Sequence, residues 1–269
     1  MAGCQDVERA PLAPSAALDP PTYEVVKSQR WGLQEKSLVI SLPGRTRVLS
    51  TNEGFVEADL VVNHSADPML WMRAFEELEI DGLSGGDVYM QETETRLGAA
   101  LNVDRDHIAL VATAVDLDHL ASATERFGPF IVTALVTAGT HSNAHRAGTD
   151  AGKNIDSAGT VNVILLVNGS FTDGAQTSAV VLATEAKTAA FQDLDVRSSY
   201  SPDAQATGTG TDTVVVIPSG RGPVVSYAGG HAKVGELIAK ATYRAVREAL
   251  AWELGGSQET TKLRAGEPE

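Results

Sequence analysis

The chain has 269 residues, 43% of them hydrophobic, enough to bury a sizeable core; its 35 acidic residues against 21 basic ones give a formal net charge of −14. Such a balance excludes a nucleic-acid partner, which needs basic surface to displace phosphate counterions. A single cysteine, Cys4, excludes an internal disulfide framework and leaves no cysteine nucleophile in the folded body.

Residues 1–22, broken by Pro11, Pro14, Pro20 and Pro21, read as a disordered head. Their opening, MAGCQDVERAP, lacks the apolar stretch of a secretory signal. No later run approaches the roughly 18–20 apolar residues that span a bilayer, so a cytoplasmic protein without membrane contact is expected. Apolar patterning predicts strands over 37–42, 47–50 and 59–63, then helices over 68–79 and 88–101. A strand over 108–114 and a helix over 117–126 follow. Next come strands over 130–138 and 160–168, a helix over 173–194, a strand over 213–217 and a helix over 232–252. Residues 255–269 read as a disordered tail. With no linker and no repeat between the ends, 23–254 form one domain. Its class is α/β or α+β, a mixed sheet of about six to seven strands covered by helices. A homo-oligomer is compatible with this composition, which does not fix the state.

Several segments carry polar groups where a core is expected. In VNVILLVNG, Asn162 and Asn168 stand near the ends of an apolar strand, aimed at a site or satisfying a neighbouring turn. On the helix over 173–194, Lys187 interrupts the stripe Val180, Ala183, Phe191, Leu194, and Glu185 falls on another largely apolar flank. Charges there need a partner or a cavity. The loop TAGTHSNAHRAG holds His141, Asn143 and His145 without a third metal ligand at a diagnostic distance, so no metal site is assigned. AGGHAK opens the last helix with freed backbone at Gly229 and Gly230, and with His231 and Lys233 beside it. ATGTGTD offers Thr207, Gly208, Thr209, Gly210, Thr211 and Asp212: hydroxyls, close backbone approach and a carboxylate. No GxxxxGK[ST], GxGxxG, GxSxG, HExxH or CxxC pattern is present, which counts against a nucleotide-binding transferase.

The order LVISLPGRTRVLST, LVVNH, VTALVTAGTHSNAHRAG, GTVNVILLVNG, ATEAKTAAFQDL, ATGTGTDTVVV, GGHAKVGELI resembles the adenosylcobinamide amidohydrolase family across nearly the whole body. The resemblance implies cleavage of the amide joining a corrin propionyl group to aminopropanol, giving adenosylcobyric acid and 1-amino-2-propanol in corrinoid salvage. It implies a corrinoid partner, and a cobalt that belongs to the substrate rather than to a protein cofactor. Asn143, Asn162, Asn168, His141, Thr207, Gly208 and Gly210 are then candidates for recognising the peripheral amides. Two mechanisms stay open. In one, Asp212 or Glu185 activates water while Lys187 or His231 supports the oxyanion or protonates the leaving amine. In the other, Thr209 or Thr211 is the nucleophile. The rival of another class is a corrinoid-binding protein that does not hydrolyse.

Overall fold

The computed structural model describes residues 8–11, 22–78, 83–152 and 159–254. In chain order they form β1 (Glu8–Pro11), β2 (Thr22–Arg30), β3 (Leu33–Ser50), β4 (Gly54–Ala66), α1 (Pro68–Glu77) and α2 (Gly85–Leu101). Then follow β5 (Ile108–Thr113), β6 (Ala121–Phe127), β7 (Phe130–Gly139), β8 (Ala144–His145), β9 (Thr160–Val167) and β10 (Ser170–Phe171). The chain continues through α3 (Asp173–Asp193), β11 (Gly208–Thr209), β12 (Thr213–Pro218), β13 (Val224–Val225) and α4 (Lys233–Glu253). This is a mixed α/β domain, as the patterning implies. Most of the head and the whole tail lie outside the described residues; of the head, Glu8–Pro11 pairs with β2.

Nine strands join one mixed sheet, in the order β1-β2-β3-β12-β9-β7-β6, with β4 on the other edge of β3 and β5 beyond it. The two short strands expected over 37–42 and 47–50 are one 18-residue strand. Pro43 and Gly44 do not end it; the pairing with β4 shifts register between Ser41 and Thr46, and the strand continues through that irregularity. The helix expected over 117–126 is corrected. Leu117–His119 form a single 3₁₀ turn, and Ala121–Phe127 pair antiparallel with β7 along their whole length. Buried Ala121 and Ala123 flank exposed Ser122, a period of two, and Gly128 turns the hairpin at φ +54°.

β9 and β12 are buried along their entire lengths. They run parallel, joined by the α3 crossover, and both faces are covered, which explains their unbroken apolar sequence. One face of β7, β9 and β12 packs on α3 and α4 through residues such as Val163, Leu165, Val216, Ala183 and Ile238. The opposite face meets the inner side of β3, β4 and β5, with Ile164, Leu166 and Val215 against Leu38, Ile40, Val61 and Val111. The outer side of β3, β4 and β5 carries α2 through Val39, Val62, Leu97 and Leu110. A capping box, Ser84 with Asp87, starts α2.

α2 is also tied down by a buried polar chain. The Tyr89 hydroxyl donates to Glu35 at 2.7 Å, so its oxygen accepts from His64 Nε2, and His64 Nδ1 accepts from the Ser37 hydroxyl at 2.8 Å. Burial would raise the Glu35 carboxyl, but the Arg96 guanidinium on its two oxygens holds it at about 2. Burial pushes the His64 imidazole down to about 4, against the pull of the Glu35 charge.

Candidate functional site

The ends of β9 and β12 where those strands begin are covered by hydroxyl-rich loops. α3 brings Lys187 to them. Alanines at 175, 179, 183 and 190 are fully buried and let the helix lie close to the sheet. Lys187, one turn after Ala183 and one before Phe191, therefore has to point inward. Its ammonium meets Asp212 Oδ2, directly before β12, and the two side chains are 9% and 14% exposed. A lysine so placed cannot snorkel to solvent and requires its counter-ion.

Asp212 is held from four directions. Oδ1 accepts from the Thr209 hydroxyl at 2.5 Å and from the Val161 amide at 3.1 Å; Oδ2 accepts from the Thr209 amide at 3.0 Å and from Lys187. A Cβ on Gly208 would overlap both Asp212 Oδ2 and Lys187 Nζ, which accounts for glycine there. The result is a hydroxyl, a carboxylate and an ammonium in line, with Asp212 within reach of the Thr209 proton.

Around this line the loops interlock. Asn143 Nδ2 donates to the Gly159 carbonyl at 2.8 Å, its Oδ1 accepts from the Tyr200 hydroxyl at 3.0 Å, and its carbonyl accepts from the Gly210 amide at 3.2 Å. A Cβ on Gly210 would press on the Asn143 carboxamide. Thr211 donates to the Gly159 carbonyl at 3.0 Å, and the Thr207 carbonyl accepts from Thr188 on α3 at 2.9 Å. His145 stacks edge-on against Tyr200, ring centroids 6.1 Å apart. His141 is exposed at φ +21°, and its backbone amide donates to Glu253 at 2.8 Å.

Four other sequence candidates stand apart from this cluster. Glu185 is exposed on the outer side of α3 and is not the partner of Lys187, whose ammonium meets Asp212. Asn162 is fully buried on the opposite face of β9, bonded to Asn63, Thr213 and the Ala112 carbonyl. Asn168 satisfies a turn, accepting from the Ile131 amide and donating to the Pro129 carbonyl. His231 is exposed just before α4, whose last residue, Glu253, accepts from Thr140 at the Asp212 end. The 21 residues of α4 span about 30 Å, so ATGTGTD and AGGHAK lie at opposite ends of the sheet rather than in one pocket.

The structure adds residues that the motifs do not reveal. Asp150 accepts from Ser198 at 2.6 Å, from Ser201 at 2.5 Å and from the Arg146 amide at 2.6 Å, clamping two loops together. Those hydroxyl donors lower its carboxyl to about 2. Only its position in the loop that carries His141 and His145 could have flagged it.

The arrangement defines an α/β protein with a buried Thr–Asp–Lys line under polar loops. The family model for adenosylcobinamide amidohydrolase (CbiZ) matches residues 21–258, and the chain belongs to that family. It is also 40% identical over 234 residues to an uncharacterized protein of Methanocaldococcus jannaschii, covering 81% of this chain and 86% of the relative. No helix among the described residues is long and apolar enough to cross a membrane.

Proposed function

We propose that the protein hydrolyses the amide linking aminopropanol to a corrin propionyl arm of adenosylcobinamide, releasing adenosylcobyric acid and 1-amino-2-propanol. Family membership supports the substrate and the reaction class. The observation that carries the chemistry is the 2.5 Å hydrogen bond from the Thr209 hydroxyl to Asp212. It supplies what a threonine nucleophile lacks on its own, a base already in contact.

Thr209 Oγ attacks the carbonyl carbon as its proton passes to Asp212. The C–N bond then breaks, and Asp212 returns the proton to the departing nitrogen, which leaves as the amine. Water hydrolyses the Thr209 ester, giving the carboxylic acid and restoring the hydroxyl. Lys187 is paired with Asp212 and places a positive charge beside the developing oxyanion. Asn143 and Thr211, at the same end, suit the peripheral amides of a corrin, which both donate and accept. The cobalt travels with the substrate; the nucleophile and the proton-moving groups are side chains of the chain, and water is the second reactant.

The test is release of 1-amino-2-propanol from adenosylcobinamide. Wild type should produce it, and Asp212→Asn should lower turnover by about 10²–10⁴, the usual worth of a positioned base. A second reading, a corrinoid-binding protein that does not hydrolyse, draws on the two protein donors that occupy each Asp212 oxygen. It predicts corrinoid binding with no amine released by wild type.

A further inference from the structure

A cavity of about 350 Å³ opens at the other end of the sheet, where β9 and β12 finish. It is separated from Asp212 by the length of β12, on the order of 20 Å for its six residues. Its volume suits a small molecule. Among the described residues twelve line it; three are arginines, Arg45, Arg47 and Arg221, and none is acidic, in a chain where acids outnumber bases 35 to 21. Arg47 is held by Asp173 and Glu57 and serves as a wall. Arg45 commits one nitrogen to Asp59, and its planar head has further donors.

A second observation points to a ligand independently. Gln176, in the first turn of α3, lines the cavity at 1% exposure, and its Oε1 has no hydrogen-bond partner among the described residues. A buried carboxamide oxygen without a donor is a cost to the folded protein unless something brings the donor. The cavity also lies at the carboxyl ends of two parallel strands, beside the N-terminus of the crossover helix, where α/β sheets collect anionic ligands.

We infer that this cavity is a second binding site for a phosphate monoester of nucleotide size. Arg45 and Arg221 take the phosphate oxygens, and Gln176 accepts from a hydroxyl or N–H on the rest of the molecule. The site needs no hydrolysis to be detected, so its test stands apart from the amidohydrolase reading.

Calorimetric titration of the full chain with adenosine 5′-monophosphate, inorganic phosphate and adenosine tests it. The monophosphate should bind saturably, phosphate more weakly and adenosine not measurably. Arg45→Ala and Arg221→Ala should each weaken monophosphate binding about tenfold, a loss of about 1.4 kcal/mol. Gln176→Leu should melt at a higher temperature than wild type and bind the monophosphate more weakly, a combination that a structural glutamine does not give. The inference is overturned if wild type binds neither the monophosphate nor phosphate, or binds both equally. Unchanged binding in both arginine variants would overturn it as well, as would a Gln176→Leu protein that is less stable with undiminished affinity.

Discussion

Replacing Lys187 with methionine asks whether the buried ion pair behaves as a unit. With side chains 9% and 14% exposed, Lys187 and Asp212 are shielded from the water and salt that weaken surface bridges. Removing one member of a buried pair costs about 3–5 kcal/mol, because the other charge is stranded. Asp212 would keep three donors, the Thr209 amide, the Thr209 hydroxyl and the Val161 amide, so the cost falls near the lower bound. Taking about 3 kcal/mol, at about 2–4 °C per kcal/mol for a domain of this size, the melting temperature should drop by roughly 6–12 °C. Asp212→Asn should also destabilise, by leaving a buried ammonium without its counter-ion. The double variant Lys187→Met/Asp212→Asn removes both charges while the asparagine oxygen still accepts, so its loss should be smaller than the sum of the two. Calorimetric melting of the four proteins at neutral pH measures this. Additive losses, or a Lys187→Met protein that melts like wild type, would refute the reasoning.

The remaining predictions concern the core and the residues set apart from the cluster. An unfolded histidine titrates near 6.5, whereas burial holds folded His64 at about 4. The unfolded chain therefore takes the proton first as pH falls. The stability from His64 is complete above about 6.5 and is lost toward pH 4, a total of about 3 kcal/mol. Glu35, depressed to about 2, adds its own loss as pH falls from about 4.5 through 2. Denaturant melts of His64→Gln should show a flatter dependence between pH 6.5 and 4; a slope matching wild type would count against the buried neutral imidazole. Gly208→Ala should cost about 1–3 kcal/mol, since its methyl overlaps Lys187 and Asp212, which pin each other. An unchanged melting temperature would show that the loop yields freely. Glu185→Gln and His231→Ala should leave amine release within a factor of about two, because surface changes away from a site have small effects. A large loss in either would return that residue to the chemistry.

Much of this was legible in the chain itself. The unbroken apolar runs of β9 and β12 reflect burial on both faces, and they read as covered strands. Lys187 breaks a helical stripe, and a charge in that position needs a partner or a cavity; the structure gives it Asp212. The hydroxyls and glycines of ATGTGTD signalled close packing around polar groups, and both Gly208 and Gly210 proved to lie against such groups. The rest was hidden by topology. Periodicity over 121–127 was too short to separate strand from helix until the Gly128 hairpin paired it with β7. Pro43 and Gly44 read as a break, but a register shift in the pairing with β4 lets the strand pass through them. No local pattern states at which end of a sheet a loop emerges, so the sequence groups His231 with Asp212 although the fold sets them at opposite ends. The same is true of the chain from Ser37 through His64 and Tyr89 to Glu35, whose members come from β3, β4 and α2.

The central claim, that the Thr209 hydroxyl performs the cleavage, is tested most directly by turnover of adenosylcobinamide in two folded variants. Thr209→Ser keeps a hydroxyl against Asp212 and should still release 1-amino-2-propanol; Thr209→Val keeps the shape without the oxygen and should release none above background. Release by Thr209→Val at the wild-type rate would contradict the account.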